Sequence, residues 1–399
     1  MILANARLIF PDAIRDGLEI VIENGRIASI RERTQTDAID LKGNYLAPGF
    51  VDVHLHGALG RDTMEAAPEA FQAICHYHTT GGTTSLLLTT VTAPIDDVVR
   101  VLQTVRKAIL TNKQIVGVHL EGPFISRVRC GAQCEQFIRV PDQQSIDQLL
   151  EFADVIKRVT LEPELPGALE LIDRLHQRQI RVSGGHSDAS EAEATAAFER
   201  GMRHVTHTFN AMSSARRRGL YREAGLLEFA LSEPEIMCEL IADGHHVRPT
   251  LMKMLYQAKG AGGICLVTDA TAGAGLPAGS NFSLGGRDCV VENGVCLLAD
   301  RSALAGSASR MIDLVRVLTN EIKIPLHEVV RMATKNPAET LGLTRKGRLE
   351  VEADADLVVL SPNLEVVATM IGGQVSHNVS EDSKRHQESR DVERRTGAA

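Results

Sequence analysis

Residues 49–57 read GFVDVHLHG, an apolar run that carries His54 and His56 two positions apart near its end. Side chains at positions i and i+2 of a strand share one face, so a strand here would present both imidazoles to the same side. The run is followed by APEAFQAICHYHTT, whose apolar residues recur with helical spacing. The stretch therefore predicts a buried strand and then a helix, with two histidines near the strand's carboxyl end.

Further apolar runs of the same kind follow this one before residue 271. They are TTSLLLTT, IVGVHLEG, KRVTLEPE, IRVSGGH, HVTHTF, MCELIADG and GICLVTDA. Eight strand–helix units between residue 49 and about residue 270 predict an α/β fold, a (β/α)8 TIM-like barrel, better than an open doubly wound sheet. The first strand is not followed by GxGxxG, and the sequence carries no P-loop, so a nucleotide-binding sheet is not indicated.

Both ends of the chain show a different pattern. Residues 1–48 alternate apolar and polar, and Asn24-Gly25 predicts a hairpin turn. Near the other end, GRLEVEADADLVVLSPNLEVVATMIGGQVS returns to strands. We expect residues 1–48 and 345–378 to form a small β-sandwich, and residues 49–344 the barrel, with a β insertion near 280–305. The charged tail, residues 380–399, is expected to be disordered.

Composition narrows the class of protein. The chain has 399 residues, 44% of them hydrophobic, with a net charge of −8 and no basic block interleaved with aromatic residues, which argues against a nucleic-acid surface. The start, MILANARLIF, lacks a signal-peptide pattern, and no run approaches the roughly 18 to 20 apolar residues of a membrane span. The seven cysteines form no tight pairs and are interpreted as reduced, so we expect a cytoplasmic protein without a membrane partner.

Polar side chains end several of the predicted barrel strands, where the catalytic residues of such barrels lie. They are His54 and His56 on strand one, Glu121 on strand three, His186 on strand five, His207 on strand six and Asp269 on strand eight. Imidazoles and carboxylates together suit zinc or iron, and a carboxylate can bridge two ions. The joint placement predicts a site for one or two divalent ions, although a His-x-His pair alone would be weak evidence. His76 and His78, on a predicted helix, are interpreted as structural.

Several motifs resemble those of a known family. PGFVDVHLHG, HLEGPF, SGGHSDA, THTFNAM, ADGHHV and LVTDAT occur in the order found in N-acetylglucosamine-6-phosphate deacetylases of the amidohydrolase superfamily. The first motif and EADADLVVL are shared by the wider superfamily, whereas HLEGPF, HTFNAM and ADGHHV are typical of the deacetylases. The resemblance covers residues 1 to 378. It implies metal-dependent hydrolysis of the acetamide of N-acetylglucosamine 6-phosphate, in amino-sugar metabolism, by a homodimer.

The resemblance also implies roles for single residues. It implies one divalent ion on Glu121, His186 and His207, a second on His54 and His56, and Asp269 as the catalytic acid. The implied contacts to the sugar phosphate are Asn210, Ala211, His246 and Arg222, the last reaching from the neighbouring subunit of family dimers. From the residues alone, Asp269 could be a metal ligand only, Asn210 a helix N-cap, and Arg222 one of a solvated basic group.

Two departures from the family pattern leave alternatives open. Gln133 in RCGAQCEQF stands where the family commonly has a substrate-contacting histidine, and REAG replaces REPG around Arg222. A glutamine can donate a hydrogen bond but cannot become cationic. The alternatives are therefore a deacetylase of N-acetylgalactosamine 6-phosphate or another N-acyl amino-sugar phosphate, and a non-catalytic sugar-phosphate sensor. A cyclic-amide hydrolase is disfavoured, since RVTLEPE offers no strand-four lysine near its end.

Overall fold

The computed structural model describes residues 1–34 and 37–379, so the tail whose disorder was predicted lies outside the described residues. Strands in the described part of the N-terminal segment are short and lie close together in the chain. They are β1 Ile2–Ala4, β2 Arg7–Ile9, β3 Ile14–Arg15, β4 Leu18–Glu23, β5 Arg26–Glu32, β6 Ile39–Asp40 and β7 Tyr45–Pro48. The β4–β5 hairpin turns at Asn24 and Gly25, which have φ of 50° and 77°, as the sequence predicts.

The middle of the chain builds a ring of parallel strands. The strands of this region are β8 Phe50–Leu55, β9 Gly57–Ala58, β10 Arg61–Asp62, β11 Thr83–Thr89, β12 Ile115–Glu121, β13 Ile156–Leu161, β14 Arg181–Gly184, β15 Met202–Val205, β16 Arg216–Arg218, β17 Tyr221–Glu223, β18 Met237–Leu240 and β19 Ile264–Leu266. Among the described residues, one sheet has the order β8-β11-β12-β13-β14-β15-β18-β19, and its neighbouring strands are parallel.

Hydrogen bonds between the first and last strands of that sheet close it. The backbone N–H of Asp269 donates to the carbonyl of His54 at 2.8 Å, and that of His56 donates to the carbonyl of Ala270 at 2.7 Å. The predicted barrel is thus confirmed, and its strands coincide with the eight apolar runs of the sequence. Closure also brings the first and last strands' polar ends side by side.

Helices surround the ring and cover its apolar outer face. They are α1 Pro68–Thr79, α2 Ile95–Ala108, α3 Gln143–Leu150, α4 Ala168–Gln177, α5 Glu191–Glu199, α6 Leu226–Ser232, α7 Pro249–Lys259, α8 Met311–Arg316, α9 Leu326–Ala333 and α10 Lys335–Thr340. In α2, Val98, Val101, Leu102 and Val105 recur at helical spacing and are buried. Burying each such side chain stabilises the fold by about 1.5–3 kcal/mol, which holds α2 against β12. Within the described residues no helix is both long and apolar enough to cross a bilayer.

A small antiparallel sheet lies after the barrel strands, where a β insertion was predicted. It consists of β20 Asn281–Leu284, β21 Arg287–Glu292 and β22 Val295–Leu298. Its buried face, which includes Leu284, Val291 and Leu298, packs on Val91 from the loop after β11. This packing holds the insertion over the carboxyl ends of the barrel strands.

The last strands of the described chain return to the N-terminal segment. They are β23 Leu357–Leu360, β24 Val366–Ile371 and β25 Gln374–Asn378. They extend a sheet of order β25-β24-β23-β7-β2-β3, beside a second sheet of order β5-β4-β1-β6. Side chains such as Leu8, Ile20, Ile27 and Leu357 form a common core. The small β-sandwich is confirmed as part of the fold, whereas the limits 1–48 plus 345–378 and 49–344 for the two domains stay a prediction.

Candidate active site and metal centre

Six ligand-type side chains converge at the carboxyl ends of the barrel strands. His54 lies in β8 with His56 just after it, Glu121 ends β12, His186 follows β14, His207 follows β15, and Asp269 follows β19. They form two groups, His54–His56–Asp269 and Glu121–His186–His207, and within each group the ligand atoms lie within 4.8 Å of one another. All six side chains are buried. The sequence prediction that these residues lie together therefore agrees with the structure.

Glu121 lies between the two groups. Its Oε1 is 3.3 Å from His54 Nε2, 3.4 Å from His186 Nε2 and 3.2 Å from His207 Nε2, and its Oε2 is 3.4 Å from His56 Nε2. One carboxylate thus faces four imidazole nitrogens. This is the arrangement expected of a group shared by two cations, because a carboxylate has two oxygens and can bind one ion with each.

The tautomer of His186 and the unpartnered atoms around it fit a divalent metal. His186 Nδ1 lies 2.8 Å from the carbonyl of Arg129, which can only accept, so Nδ1 carries the proton and Nε2 offers a lone pair. That Nε2 lies 3.1 Å from His207 Nε2, so the lone pair of one ring nitrogen faces the other ring nitrogen. His54 Nε2 and Glu121 Oε1 are buried without a hydrogen-bond partner. Donors of this kind, N and O atoms aimed at one space, fit zinc or iron.

The charges of the site attract a cation. Burial acts to raise the pKa of Glu121, but His54, His186 and His207 outweigh it and hold that pKa well below its usual range. Burial acts to lower the pKa of His54, and the carboxylates of Glu121 and Asp269 outweigh it and raise that pKa well above its usual value. The carboxylates of the cluster therefore favour a positive charge among them. Protons on the histidines or a bound divalent ion can provide that charge, and the two compete for the same ligand atoms.

Asp269 is an ionised acid beside the His54–His56 pair. Its Oδ1 lies 3.2 Å from His56 Nε2 and 3.5 Å from His54 Nε2. Burial acts to raise the pKa of Asp269, whereas both histidines lower it, and the pKa lies below its ordinary value. The Cβ of any residue replacing Gly306 would come within 2.5 Å of the Asp269 carbonyl, so a glycine is required beside this acid. Asp269 is therefore held in place as a carboxylate that can accept a proton.

Three of the six residues have backbones in the left-handed region. The φ angles are 46° for His186, 31° for His207 and 48° for Asp269. A left-handed conformation costs a residue with a Cβ roughly 1–2 kcal/mol, so neighbouring structure must hold these positions in place. Each lies just after a strand end, and the unusual conformation turns its side chain toward the barrel mouth.

A cavity of about 240 Å³ opens over these groups. Its lining includes His56, Glu121, His186, His207 and Asp269, and also the predicted substrate residues Gln133, Asn210, Ala211 and His246. The β insertion contributes Leu284, Ala303 and Leu304, so it forms one wall. A larger surface groove of about 660 Å³, bordered by Pro94, Phe137 and Gln148, has none of these ligand-type groups among its described lining residues, so chemistry rather than volume identifies the site.

Gln133 is fixed by two hydrogen bonds. Its Oε1 accepts from the backbone N–H of Thr92 at 2.7 Å, and its Nε2 donates to Glu121 Oε2 at 2.6 Å. Because a backbone N–H can only donate, the carbonyl side of the amide must face Thr92 and the NH2 side must face Glu121. Gln133 thus steadies the shared carboxylate in addition to lining the cavity.

Two further cavity residues are oriented by local contacts. His246 Nδ1 lies 2.7 Å from Asp243 Oδ2; burial acts to lower the pKa of His246, and Asp243 outweighs it, so the pKa is raised. The Asn210 amide donates to the carbonyl of His207 at 3.1 Å. The alternative that Asn210 caps a helix is wrong, because the next helix, α6, has Gly225 at its N-cap.

Arg222 is a predicted site residue that lies apart from the cavity and from the metal-ligand groups. It is exposed on the β16–β17 hairpin, next to Tyr221 and Leu220, which are 78% and 85% exposed. Within residues 1–34 and 37–379, the lining of the cavity does not include Arg222. In a single chain, therefore, this arginine does not reach the site.

Other predictions concern residues outside the site. All seven cysteines are free, as predicted. His78 is buried with its Nε2 3.3 Å from the carbonyl of Gly57, and His76 is exposed; neither belongs to the metal-ligand groups found among the described residues. Their interpretation as structural residues agrees with the structure.

Residues beneath the site were missed by the sequence analysis. Glu239 in β18, Arg158 in β13 and Asp52 in β8 are fully buried below the ligand groups. Asp52 Oδ2 accepts from Thr268 Oγ1 at 2.6 Å, one residue before Asp269. The sequence carries a signal for them, since each is a charged residue inside an apolar strand run and not at the strand end where catalytic residues are expected.

A carboxyl pair supports the loop that carries His186. Glu164 accepts from Ser187 Oγ at 2.8 Å and from the backbone N–H of Asp188 at 2.5 Å. Burial and the neighbouring Glu162 raise the pKa of Glu164 from 4.5 to about 8. The loop therefore rests on a carboxyl group that keeps its proton near neutral pH.

This pair predicts a pH dependence of stability. Between about pH 4.5 and 8 the folded protein keeps a proton on Glu164 that the unfolded chain has lost, so the free energy of unfolding falls as the pH rises through that window. A Glu164→Gln variant, which keeps an acceptor for Asp188, should show a smaller fall in Tm from pH 5 to pH 8 at fixed metal concentration. Parallel Tm curves for the variant and the wild type would contradict this.

Comparison with known proteins agrees with this geometry. The amidohydrolase family matches residues 45–376. The chain is 33% identical over 378 residues to N-acetylglucosamine-6-phosphate deacetylase of Bacillus subtilis, covering 92% of this chain and 94% of the relative. It is 31% identical to N-acetylgalactosamine-6-phosphate deacetylase of Escherichia coli O157:H7, covering 94% of this chain and 99% of the relative.

A solved structure has the same fold. It is that of an Asp-to-Ala variant of N-acetyl-D-glucosamine-6-phosphate deacetylase from Mycobacterium smegmatis in complex with N-acetyl-D-glucosamine-6-phosphate. Its TM-score is 0.89 and its identity 31%, covering 94% of this chain and 99% of that chain. With matches at this identity over nearly the whole of both chains, the chain belongs to the amidohydrolase family, which is metal-dependent, and within it to the N-acetylglucosamine-6-phosphate deacetylases.

Proposed function

We propose that the chain hydrolyses the acetamide of N-acetylglucosamine 6-phosphate to glucosamine 6-phosphate and acetate. The observation that carries this proposal is the position of Asp269, an ionised acid 3.2 Å from His56 Nε2, inside a cavity that Glu121, His186 and His207 also line. An acid beside metal-ligand groups in a concave site is what amide hydrolysis requires. Membership of the deacetylase family gives the substrate class.

The metal centre follows from the two ligand groups. Glu121, His186 and His207 would hold one divalent ion, and His54 and His56, which lie beside Asp269, a second, with Glu121 shared. Zinc or iron is proposed, because the donors are imidazole nitrogens and carboxylate oxygens. When bound, such an ion supplies Lewis-acid activation of the attacking water and of the acetyl carbonyl.

Asp269 moves the proton in this proposal. Its carboxylate accepts a proton from the attacking water and later donates it to the departing nitrogen, so the C–N bond breaks with a neutral amine as leaving group. The lowered pKa of Asp269 keeps it ready to accept at neutral pH. Gln133, by donating to Glu121 Oε2, keeps the shared carboxylate in place.

The phosphate end of the substrate needs cationic donors. His246 lines the cavity with its Nδ1 held by Asp243, and the protonated ring, which Asp243 favours by raising the pKa of His246, would donate from Nε2. Asn210 and Ala211 line the same cavity. Arg222 is proposed to reach the phosphate from a neighbouring copy in a homodimer, which suits its place on an exposed hairpin with Leu220 at its tip. An arginine fork binds phosphate in a bidentate manner.

The cytoplasmic location stays a prediction.

Two alternatives are weaker. N-acetylgalactosamine 6-phosphate, the alternative substrate that Gln133 suggested, is not favoured. The relatives are mostly N-acetylglucosamine-6-phosphate deacetylases, and the solved complex holds N-acetyl-D-glucosamine-6-phosphate. A non-catalytic sensor would have no need of an ionised acid next to the ligand groups.

The test of this function is acetate release. The purified protein, reconstituted with Zn²⁺, should release acetate from N-acetylglucosamine 6-phosphate, and proton NMR detects the product directly. Because the phosphate contacts are lost, the unphosphorylated sugar should react at least about 100-fold more slowly in kcat/KM, consistent with losing charge-assisted hydrogen bonds of about 1.5–3 kcal/mol each. The galactosamine epimer is run beside it. Faster release from the epimer would reverse the choice of sugar, and no release from any of the three would refute the function.

A further inference from the structure

Glu239 is a charged residue in the middle of the apolar strand β18, fully buried beneath the ligand groups. Its Oε2 lies 3.0 Å from His54 Nδ1 and accepts from the backbone N–H of His207 at 3.2 Å. Its Oε1 accepts from the guanidinium of Arg158. One carboxylate thus touches a residue of each ligand group and a buried cation.

The contact with His54 fixes a tautomer. An ionised carboxylate only accepts hydrogen bonds, and the contacts of Glu239 with the guanidinium of Arg158 and the backbone N–H of His207 are both with donors, which favours the ionised form. His54 Nδ1 must therefore carry a proton. Its other nitrogen, Nε2, is buried without a hydrogen-bond partner and faces Glu121 at 3.3 Å and Asp269 at 3.5 Å.

Arg158 offsets the free-energy cost of burying the charge of Glu239. It is fully buried on β13, and its guanidinium contacts Glu239 and, at 3.2 Å, the hydroxyl of Thr340. A buried ion pair adds little net stability, because desolvation of both charges offsets their attraction, and apolar replacement of both partners is often neutral or stabilising. Because such a pair adds little to stability and Glu239 contacts His54, a proposed metal ligand, the pair points to a role in the site.

We propose that Glu239, held by Arg158, is a positioning residue that keeps His54 in the Nδ1–H tautomer with Nε2 directed at the ion of the His54–His56–Asp269 group. The inference rests on the metal site of the proposed function. Carboxylates that accept from the far nitrogen of a metal-binding histidine orient its ring and raise its basicity, and losing one weakens metal binding about 10- to 100-fold.

Two double variants separate positioning from packing. Arg158→Met with Glu239→Gln removes the ion pair but keeps an acceptor, the Gln carbonyl, for His54 Nδ1. Arg158→Met with Glu239→Leu removes the pair and the acceptor, so the two proteins differ in the acceptor offered to His54 Nδ1 and to the backbone N–H of His207. Both lack an unpaired buried charge, which the single Glu239→Gln variant would leave on Arg158.

The measurement is Zn²⁺ binding by competition with a chromophoric chelator, with Tm recorded in EDTA. The Leu double variant should bind the second equivalent of Zn²⁺ about 10- to 100-fold more weakly than the Gln double variant, while thermal unfolding in EDTA shows that both metal-free proteins are folded. Equal affinity in the two variants would overturn the inference.

A measurement on the unchanged chain covers the case in which the variants do not fold. In Zn²⁺-loaded protein labelled with ¹⁵N-histidine, the His54 resonances, assigned by their loss in His54→Gln, should show a protonated Nδ1. A Zn²⁺-bound or unprotonated Nδ1 would refute the inference. Unchanged Zn²⁺ content in the His54→Gln variant would refute the His54 metal site and the inference with it, whereas acetate release tests the reaction separately.

Discussion

Asp269→Asn is expected to lower kcat for acetate release by about 10³-fold, within the range of 10²–10⁴ that general acid–base catalysis contributes. Asparagine keeps the size of the side chain but cannot accept the proton of water or pass it to nitrogen. The lowered pKa of Asp269, which His54 and His56 maintain against burial, indicates that the wild-type group is ionised and available for this task. The measurement is steady-state acetate release with N-acetylglucosamine 6-phosphate.

The same variant decides between two roles for Asp269. If it is the proton carrier, Asp269→Asn keeps its Zn²⁺ content and binds substrate with little change by calorimetry. If it is a ligand only, the ion of the His54–His56–Asp269 group is lost with activity. Asp356→Asn is the matched control, because Asp356 is also buried and paired, with Lys346 at 2.6 Å, but lies near the β-sandwich. If kcat of Asp269→Asn fell by less than 10-fold, Asp269 would be neither the proton carrier nor a required metal ligand.

Glu121→Gln is expected to abolish stable metal binding at both groups, because this carboxylate faces four imidazole nitrogens between 3.2 and 3.4 Å away. The amide is neutral and turns an NH2 toward one set of nitrogens, where a cation should lie. Affinity should fall by more than the 10- to 100-fold lost with an outer contact, and activity should fall with it.

Thermal unfolding measures this loss without reference to activity. Binding that stabilises only the folded protein adds about 2.7 kcal/mol at 100 times the dissociation constant, so Zn²⁺ should raise the Tm of the wild type but not that of Glu121→Gln. Glu19→Gln is the control, since Glu19 is equally buried and bonded to Arg31 but lies in the β-sandwich. A normal Zn²⁺-induced rise in the Glu121→Gln variant would show that this carboxylate is dispensable.

The barrel could be predicted from local patterns because each buried strand is a short apolar run bounded by turn residues. GFVDVHLHG became β8, and IVGVHLEG became β12 with Glu121 at its last position. The meeting of these ends followed from the topology, since parallel strands of a barrel direct their carboxyl ends to one rim. The Asn24-Gly25 hairpin was equally local, because only residues that tolerate positive φ fit the turn.

Long-range pairing could not be predicted from the runs. Glu239 and Arg158 lie 81 residues apart, and nothing in KRVTLEPE or MCELIADG indicates that the two charges meet below His54. The contact of Gln133 with Glu121 depends on the Thr92 backbone, which the loop after β11 presents. Arg222 shows a different limit, because its proposed action from a neighbouring copy would depend on contacts that the fold of one chain does not contain.

The left-handed backbones of His186, His207 and Asp269 have a consequence for how such a chain can change over generations. Glycine or asparagine would relieve the conformational cost at each position, so these particular substitutions would stabilise the fold while removing the side chain that the site needs. Only selection for the reaction keeps bulky, functional side chains there. A lineage that no longer needs the reaction is therefore free to give up these positions first, while the barrel around them persists.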